Sequence, residues 1–128
     1  MKILGIGVDV IKNSRIKNLI RNQFFLKRTF SANELRFSKK KNNKINYFAK
    51  RFAAKEAFVK AIGTGFRNNL NFKDIIVIRN KVGKPSFKIN KKIKDIIKKQ
   101  FKISSFNFFL SISDEKKYSI AYVVLQKK

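Results

Sequence analysis

The chain reads as a mixed α+β domain with a mainly antiparallel sheet and the element order β-α-α-α-β-β-α-β-β. Three observations predict this. Apolar residues alternate with period two near the start and near the end, as half-buried strands require. Between them, residues 43–62 carry apolar residues at helical spacing over five turns. The later strands come in pairs joined by short polar turns, which favours hairpins over parallel crossovers. All 128 residues fit one domain, 1–128.

The elements follow in order. In residues 2–10, Leu4, Ile6, Val8 and Val10 fall on one face and Ile3, Gly5, Gly7 and Asp9 on the other. The result is a strand with one greasy face and one mostly small face. Residues 12–22 set Ile16, Leu19 and Ile20 among Lys12, Arg15, Lys17 and Arg21, a short basic amphipathic helix. Ser31 and Glu34 form a capping box that opens a helix to about residue 40. The long helix 43–62 shows Ile45, Phe48, Ala49, Phe52 and Ala53 on its apolar face and stops at Gly63. Residues 72–79 read as a strand, 80–84 as a turn with Gly83, and Pro85 starts a short strand to about Ile89. Ile93, Ile96, Ile97 and Phe101 mark a helix over 91–101. Strands 106–113 and 118–125 flank the turn Asp114-Glu115-Lys116-Lys117.

Composition narrows the chemistry. The chain has no Cys and no His. Disulfides, thiolate nucleophiles, Cys/His zinc sites and histidine bases are excluded. Carboxylates, lysines, hydroxyls, backbone groups or a hard metal ion remain. Lys and Arg number 32 against 7 acidic residues, for a net charge of +25. That excess reads equally as the mark of an anionic partner and as A/T-rich codon usage, so charge alone establishes no nucleic-acid binding. No stretch approaches the roughly 18 apolar residues of a membrane span. The start, MKILGIGVDVIK, contains Asp9 and lacks a small-residue cleavage site, so no signal peptide is expected. The cytoplasm is the expected compartment, with no membrane partner.

Seven acidic residues can be weighed one at a time. Glu34 serves the capping box. Asp114 and Glu115 sit in a turn, Asp74 near a strand start, and Asp95 between helix lysines. Asp9 lies inside a strand, where Asp is disfavoured, on the face that carries Gly5 and Gly7. Glu56 lies near the end of the long helix, where an i,i+4 pair with Lys60 gives it an ordinary structural role worth about 0.3–0.5 kcal/mol. Together, a strand carboxylate and a helix carboxylate make two hard oxygen ligands suited to Mg²⁺, provided phosphate oxygens and waters complete the octahedron. Lys60 could neutralise the same phosphates. The Gly63-Thr64-Gly65 turn offers bare backbone to a ligand.

These residues also carry a family pattern. Gly5-Ile6-Gly7-Val8-Asp9, Arg51-Phe52-Ala53-Ala54-Lys55-Glu56-Ala57-Phe58-Val59-Lys60-Ala61 and Gly63-Thr64-Gly65 resemble the bacterial holo-[acyl-carrier-protein] synthases of the 4′-phosphopantetheinyl transferase superfamily. The family signature, G-x-D near the start and K-E-x-x-x-K further on, stands here as Gly7-x-Asp9 and Lys55-Glu56-x-x-x-Lys60. Gly83-Lys84-Pro85, Ser111-Ile112-Ser113 and Tyr118 extend the resemblance along the chain.

The resemblance implies the fold of that superfamily, with a long central helix. It also implies transfer of the phosphopantetheine arm of coenzyme A to a serine of apo acyl carrier protein, with release of adenosine 3′,5′-bisphosphate, in support of fatty acid biosynthesis. Asp9 and Glu56 would bind Mg²⁺. Lys60 would contact the pyrophosphate, and Glu56 or a metal-linked water would take the serine proton. Arg51, the Gly63-Thr64-Gly65 turn and nearby lysines would hold the rest of coenzyme A. A homotrimer with active sites between neighbours is implied, and Arg15 and Arg21 would receive the acidic carrier protein. One departure is visible: many members carry His after the S-x-S segment, where this chain has Asp114. The competing readings are a small basic RNA- or DNA-binding module, supported by the charge and by 14 Phe and 3 Tyr, and a ribosome-associated basic protein. Most of the Phe residues fall on core-like positions, and no recognition motif is present.

Overall fold

A computed structural model describes residues 1–66 and 69–128. Strand β1 (Lys2–Lys12) is followed by four helices: α1 (Asn13–Leu19), α2 (Gln23–Thr29), α3 (Ala32–Ser38) and α4 (Lys44–Ile62). A 3₁₀ turn (Phe72–Asp74) leads into the hairpin β2 (Ile76–Arg79) and β3 (Pro85–Lys88). Helix α5 (Lys91–Phe101) and strands β4 (Phe106–Asp114) and β5 (Tyr118–Lys127) complete the chain. β5 lies between β1 and β4 in an antiparallel three-stranded sheet, and β2 and β3 pair separately.

The α+β class holds, with one addition and three shifts. Helix α2 is the addition. Its N-cap Asn22 accepts bonds from the Phe24 and Phe25 amides. Phe25 is buried while Phe24 is 81% exposed, so no continuous apolar stripe announces this helix in the sequence. Helix α1 is correspondingly short, and Arg21 stands in the turn after it rather than on it. The strand expected from residue 72 begins only at Ile76, because the Asp74 carboxylate folds back to accept from the Asn71 amide. Leu4 packs against the core instead of sharing the face of Ile6, Val8 and Val10, because the β1–β5 register shifts between Ile3 and Gly5.

The sheet faces are assigned by α4. The small face of β1 lies against this helix so closely that a Cβ on Gly7 would come within 1.9 Å of the Ala57 carbonyl oxygen, and one on Gly5 within 1.8 Å of that of Ala61. Two glycines opposite two alanines let backbone meet backbone. Ala121, Val123, Leu125 and Leu110 bury the neighbouring strands against the same core. The greasy face of β1 is the solvent-facing one: Ile6, Val8 and Val10 are each at least half exposed. Their cross-strand partners Ile120 and Tyr122 extend that apolar surface, and Phe109 on β4 is exposed beside them.

Helix caps match the sequence reading closely. Ser31 and Glu34 form the predicted capping box, and Gly63 ends α4 in the left-handed conformation at φ 88°. Helix α5 ends on Lys102, which takes the same conformation at φ 59° with a Cβ present. That arrangement costs a non-glycine residue about 1–2 kcal/mol, partly offset in glycine by its freer unfolded chain. Lys102→Gly is therefore expected to raise the melting temperature by about 2–4 °C. A calorimetric scan showing no rise would contradict the strain assigned to this cap.

Candidate active site

Asp9 and Lys60 meet where β1 runs beneath the C-terminal half of α4. The Lys60 Nζ donates to Asp9 Oδ1 at 3.3 Å and to the Val8 carbonyl oxygen at 3.0 Å. Glu56, one turn before Lys60, faces the same strand. Burial pushes the Asp9 carboxyl above its ordinary range, and the hydrogen bond and charge of Lys60 pull the other way. Burial also raises Glu56, and the Asp9 charge raises it further, against Lys60 and Arg15. Two half-buried carboxylates thus stand in one another's field, with two cations beside them. The structure brings together the three residues that the sequence singled out.

The donor set fits a hard cation. Both carboxylates offer oxygen only, and burial makes the charged form of each more costly, a cost that nearby positive charge reduces. The Lys60 ammonium already uses that attraction, resting on a carboxylate oxygen and a backbone carbonyl. Among the described residues no group of three or more acidic side chains gathers, so two protein ligands is the full acidic complement here. Mg²⁺ commonly takes one or two carboxylates and completes its octahedron with phosphate and water.

The turn that follows offers the predicted bare backbone. Gly63 and Gly65 both have positive φ, and no heavy atom lies within 4 Å of where a Cβ would stand on either. The Thr64 hydroxyl donates to the Gly65 carbonyl at 3.4 Å. The turn begins three residues beyond Lys60.

Arg51 is elsewhere. It lies five residues before Glu56, roughly 140° around the helix. Its side chain is buried, with the guanidinium 3.6 Å from the centre of the Tyr47 ring and Nη1 donating to the Tyr47 carbonyl. Its Nε finds no hydrogen-bond partner among the described residues. With Lys41, Arg79 and Lys88 it lines a separate cleft of about 350 Å³. Arg51, expected to help hold coenzyme A, thus stands apart from the carboxylate cluster within one chain.

The two arginines expected at the docking surface also separate. The Arg15 charge reaches both Asp9 and Glu56, so Arg15 borders the site itself. Arg21 is exposed in the α1–α2 turn, three residues before the solvent-facing Phe24. Phe24 was invisible to sequence reasoning because a Phe-Phe pair reads as core.

Sequence reasoning also missed the buried pair Lys55–Glu34. Lys55 and Glu34 bond at 2.7 Å with side chains 0% and 2% exposed. Local roles, a signature lysine and a capping glutamate, concealed a contact 21 residues apart. Asp114, at the departure noted above, accepts a bond from the Asn46 amide nitrogen.

Comparison with known proteins places this geometry. The family model of the 4′-phosphopantetheinyl transferase superfamily matches residues 5–123. The chain belongs to that superfamily. A holo-[acyl-carrier-protein] synthase of Pelagibacter ubique is 68% identical over 128 residues, covering 100% of both chains. One from Ehrlichia chaffeensis is 49% identical, covering 96% of each. Among solved structures, the holo-[acyl-carrier-protein] synthase of Neisseria meningitidis superposes with a TM-score of 0.88 at 38% identity, over 98% of this chain and 100% of that one. The Bacillus anthracis enzyme, solved in complex with CoA (3′,5′-ADP), gives 0.82 at 33% identity over 98% of each. Asp9, Glu56 and Lys60 lie within the matched span and meet between β1 and α4, while Lys55 faces the interior.

Lys60 offers a clean experiment. An exposed ion pair with Asp9 alone is worth at most about 1 kcal/mol. If phosphate neutralisation is its work, Lys60→Ala should lower kcat at least about tenfold, or ~1.4 kcal/mol in the barrier, while the melting temperature barely moves. Unchanged turnover with a lowered melting temperature would reduce Lys60 to a surface pair.

Proposed function

We propose that this chain is a holo-[acyl-carrier-protein] synthase that moves phosphopantetheine from coenzyme A to a serine of apo acyl carrier protein. The observation that carries the reading is the meeting of Asp9, Glu56 and Lys60 where β1 passes under α4. Family membership favours it over a basic nucleic-acid-binding module. Asp9 and Glu56 would hold Mg²⁺, which when bound supplies charge neutralisation at the pyrophosphate. Lys60 leaves its resting contact on Asp9 and pairs with the phosphate that departs with adenosine 3′,5′-bisphosphate. Glu56, its carboxyl raised by burial, is the group on this chain suited to accept the serine proton. Most of the rate in such in-line phosphoryl transfer comes from positioning and charge neutralisation.

Coenzyme A is long, and one chain offers only part of a site. The Lys60 side chain is 54% exposed, so the cluster stands open to solvent. The bare sheet face of Ile6, Val8, Val10, Ile120 and Tyr122 is the kind of apolar patch that another subunit covers. β1 carries Val8 and Val10 on that face and Asp9 between them. A homotrimer closed through this face would set a neighbour beside each cluster. Arg51, with Lys41, Arg79 and Lys88, would then hold the remote, anionic part of coenzyme A. No helix among the described residues is long and apolar enough to cross a membrane, in keeping with a cytoplasmic enzyme.

The acidic carrier protein would dock at α1 and the turn after it. Exposed charges across an interface act mostly on encounter and are screened beyond roughly 8 Å at physiological salt. Arg21→Glu should raise the KM for carrier protein about fivefold at low salt, shrink in effect as salt rises, and leave the KM for coenzyme A alone. Arg15→Glu, beside the carboxylates, should damage both. Equal effects of the two reversals on the two substrates would contradict the division. The function itself is tested by chromatography of the nucleotide product. Adenosine 3′,5′-bisphosphate should appear only with Mg²⁺, coenzyme A and apo carrier protein together, and its absence from that complete mixture would refute the proposal.

A further inference from the structure

Lys55 and Glu56 are neighbours on α4, about 100° apart around the helix, and meet different surroundings. Glu56 faces β1. Lys55 faces inward, fully buried, and its ammonium makes three bonds: to Glu34 Oε1 at 2.7 Å, the Thr29 carbonyl at 2.8 Å and the Phe72 carbonyl at 3.1 Å. Every ammonium donor has an acceptor. Glu34 is equally engaged. Its carboxylate also accepts from the Ser31 and Val77 amides, and its carbonyl accepts from the Tyr47 hydroxyl. One ion pair therefore ties α4 to the end of α2, the cap of α3, the 3₁₀ turn and β2.

The flank of α4 that meets β1 is held differently, by the half-exposed Lys60 ammonium on Asp9 and the Val8 carbonyl and, at the helix end, by Gln100 Nε2 donating to the Ile62 carbonyl. Gly5 and Gly7 let the helix approach β1, but a glycine surface has no side chain to resist a roll about the helix axis. The remaining large contacts are aromatic: Phe48 on Phe30, Phe52 on Phe25 and Phe72, and Phe58 on Phe87 and Phe108. They fill volume without directional bonds, whereas a charged hydrogen bond fixes both distance and angle. A roll of about 20° would carry a carboxylate roughly 6 Å from the axis through about 2 Å. Misplacement by about 1 Å can cost on the order of 10²-fold in rate.

We infer that Lys55 is a positioning residue: its bond to Glu34 sets the roll of α4 and so aims Glu56 and Lys60 at Asp9. The inference rests on the proposed function for its kinetic consequence, and on geometry alone for the roll. Lys55 touches no substrate and is not a catalytic residue.

The test needs a variant that keeps the fold. Lys55→Met alone strands a buried carboxylate and is expected to melt far lower. Lys55→Met combined with Glu34→Gln removes both charges, and the amide can still accept at the α3 cap. Working below its melting temperature, we expect the double variant to lose at least tenfold in kcat and to need more Mg²⁺ for half-maximal rate. Its KM for carrier protein should stay within twofold of the parent. Crystals of the double variant should show Glu56 displaced from Asp9 by more than about 1 Å. A folded double variant with parental kcat, or with Glu56 in its parental place, overturns the inference and leaves Lys55 as a stability residue. If the parent protein itself transfers nothing, the proposed function falls instead, and the Glu56–Asp9 separation in the crystals decides the inference by itself.

Discussion

Asp9→Asn and Glu56→Gln should each abolish transfer, by at least about 10³-fold or ~4 kcal/mol in the barrier, without loosening the fold. Each removes one oxygen charge from a pair that has no acidic third member among the described residues. The accompanying stability change has a definite sign. Both carboxyls are raised in the folded chain by burial. The folded state therefore binds these protons more tightly than the unfolded state, whose carboxyls titrate near about 4. In the absence of metal, stability from these groups is present at low pH and declines as pH rises from that range through the raised folded values. At neutral pH the amide variants should melt at the same temperature as the parent or higher. Added Mg²⁺ should raise the melting temperature of the parent and not that of the variants. Substantial turnover by either variant, or a clear drop in its metal-free melting temperature, would remove the pair from the centre of the account.

Gly7→Ala should be, with Gly5→Ala, among the most damaging single methyl groups in the molecule. Its Cβ would stand 1.9 Å from the Ala57 carbonyl oxygen and 2.8 Å from the Ala61 amide nitrogen. Both are backbone atoms of α4, so no rotamer change relieves the clash. The helix must lift from β1 or the strand must bow. Overpacking against movable side chains costs about 1–3 kcal/mol, and a rigid backbone obstacle should exceed the top of that range. Lifting α4 also carries Glu56 and Lys60 away from Asp9, so any folded fraction should be inactive. Urea denaturation with the midpoint near that of the parent would show that the close approach of α4 to β1 is not what Gly7 provides.

Much of this was legible in the sequence, for identifiable reasons. The alternation of β1 beyond Leu4, the Ser31–Glu34 box and the Gly63 stop are local signals, and the structure bears each out. An Asp within a strand and a Glu on the long helix stood out because few acidic residues compete for notice. What stayed hidden depends on distant packing. Period two separates the faces of β1 but does not say which is buried, and here the small face is inside because α4 lies on it. Helix α2 is held by Phe25 in the core and by the Asn22 cap, not by a stripe of its own. Lys55 and Glu34 each had a sufficient local role, so nothing announced their contact. Arg51 belongs to the signature block in sequence, yet the helical twist sends it to another flank.

The most direct measurement is the intact mass of apo acyl carrier protein after incubation with this chain, coenzyme A and Mg²⁺. The carrier should gain one phosphopantetheine group. No gain is expected with a chelator present, with the acceptor serine replaced, or with Asp9→Asn in place of the parent chain. Unmodified carrier in the complete mixture, or full modification by the Asp9→Asn chain, would contradict the assignment of the chemistry to Asp9, Glu56 and Lys60.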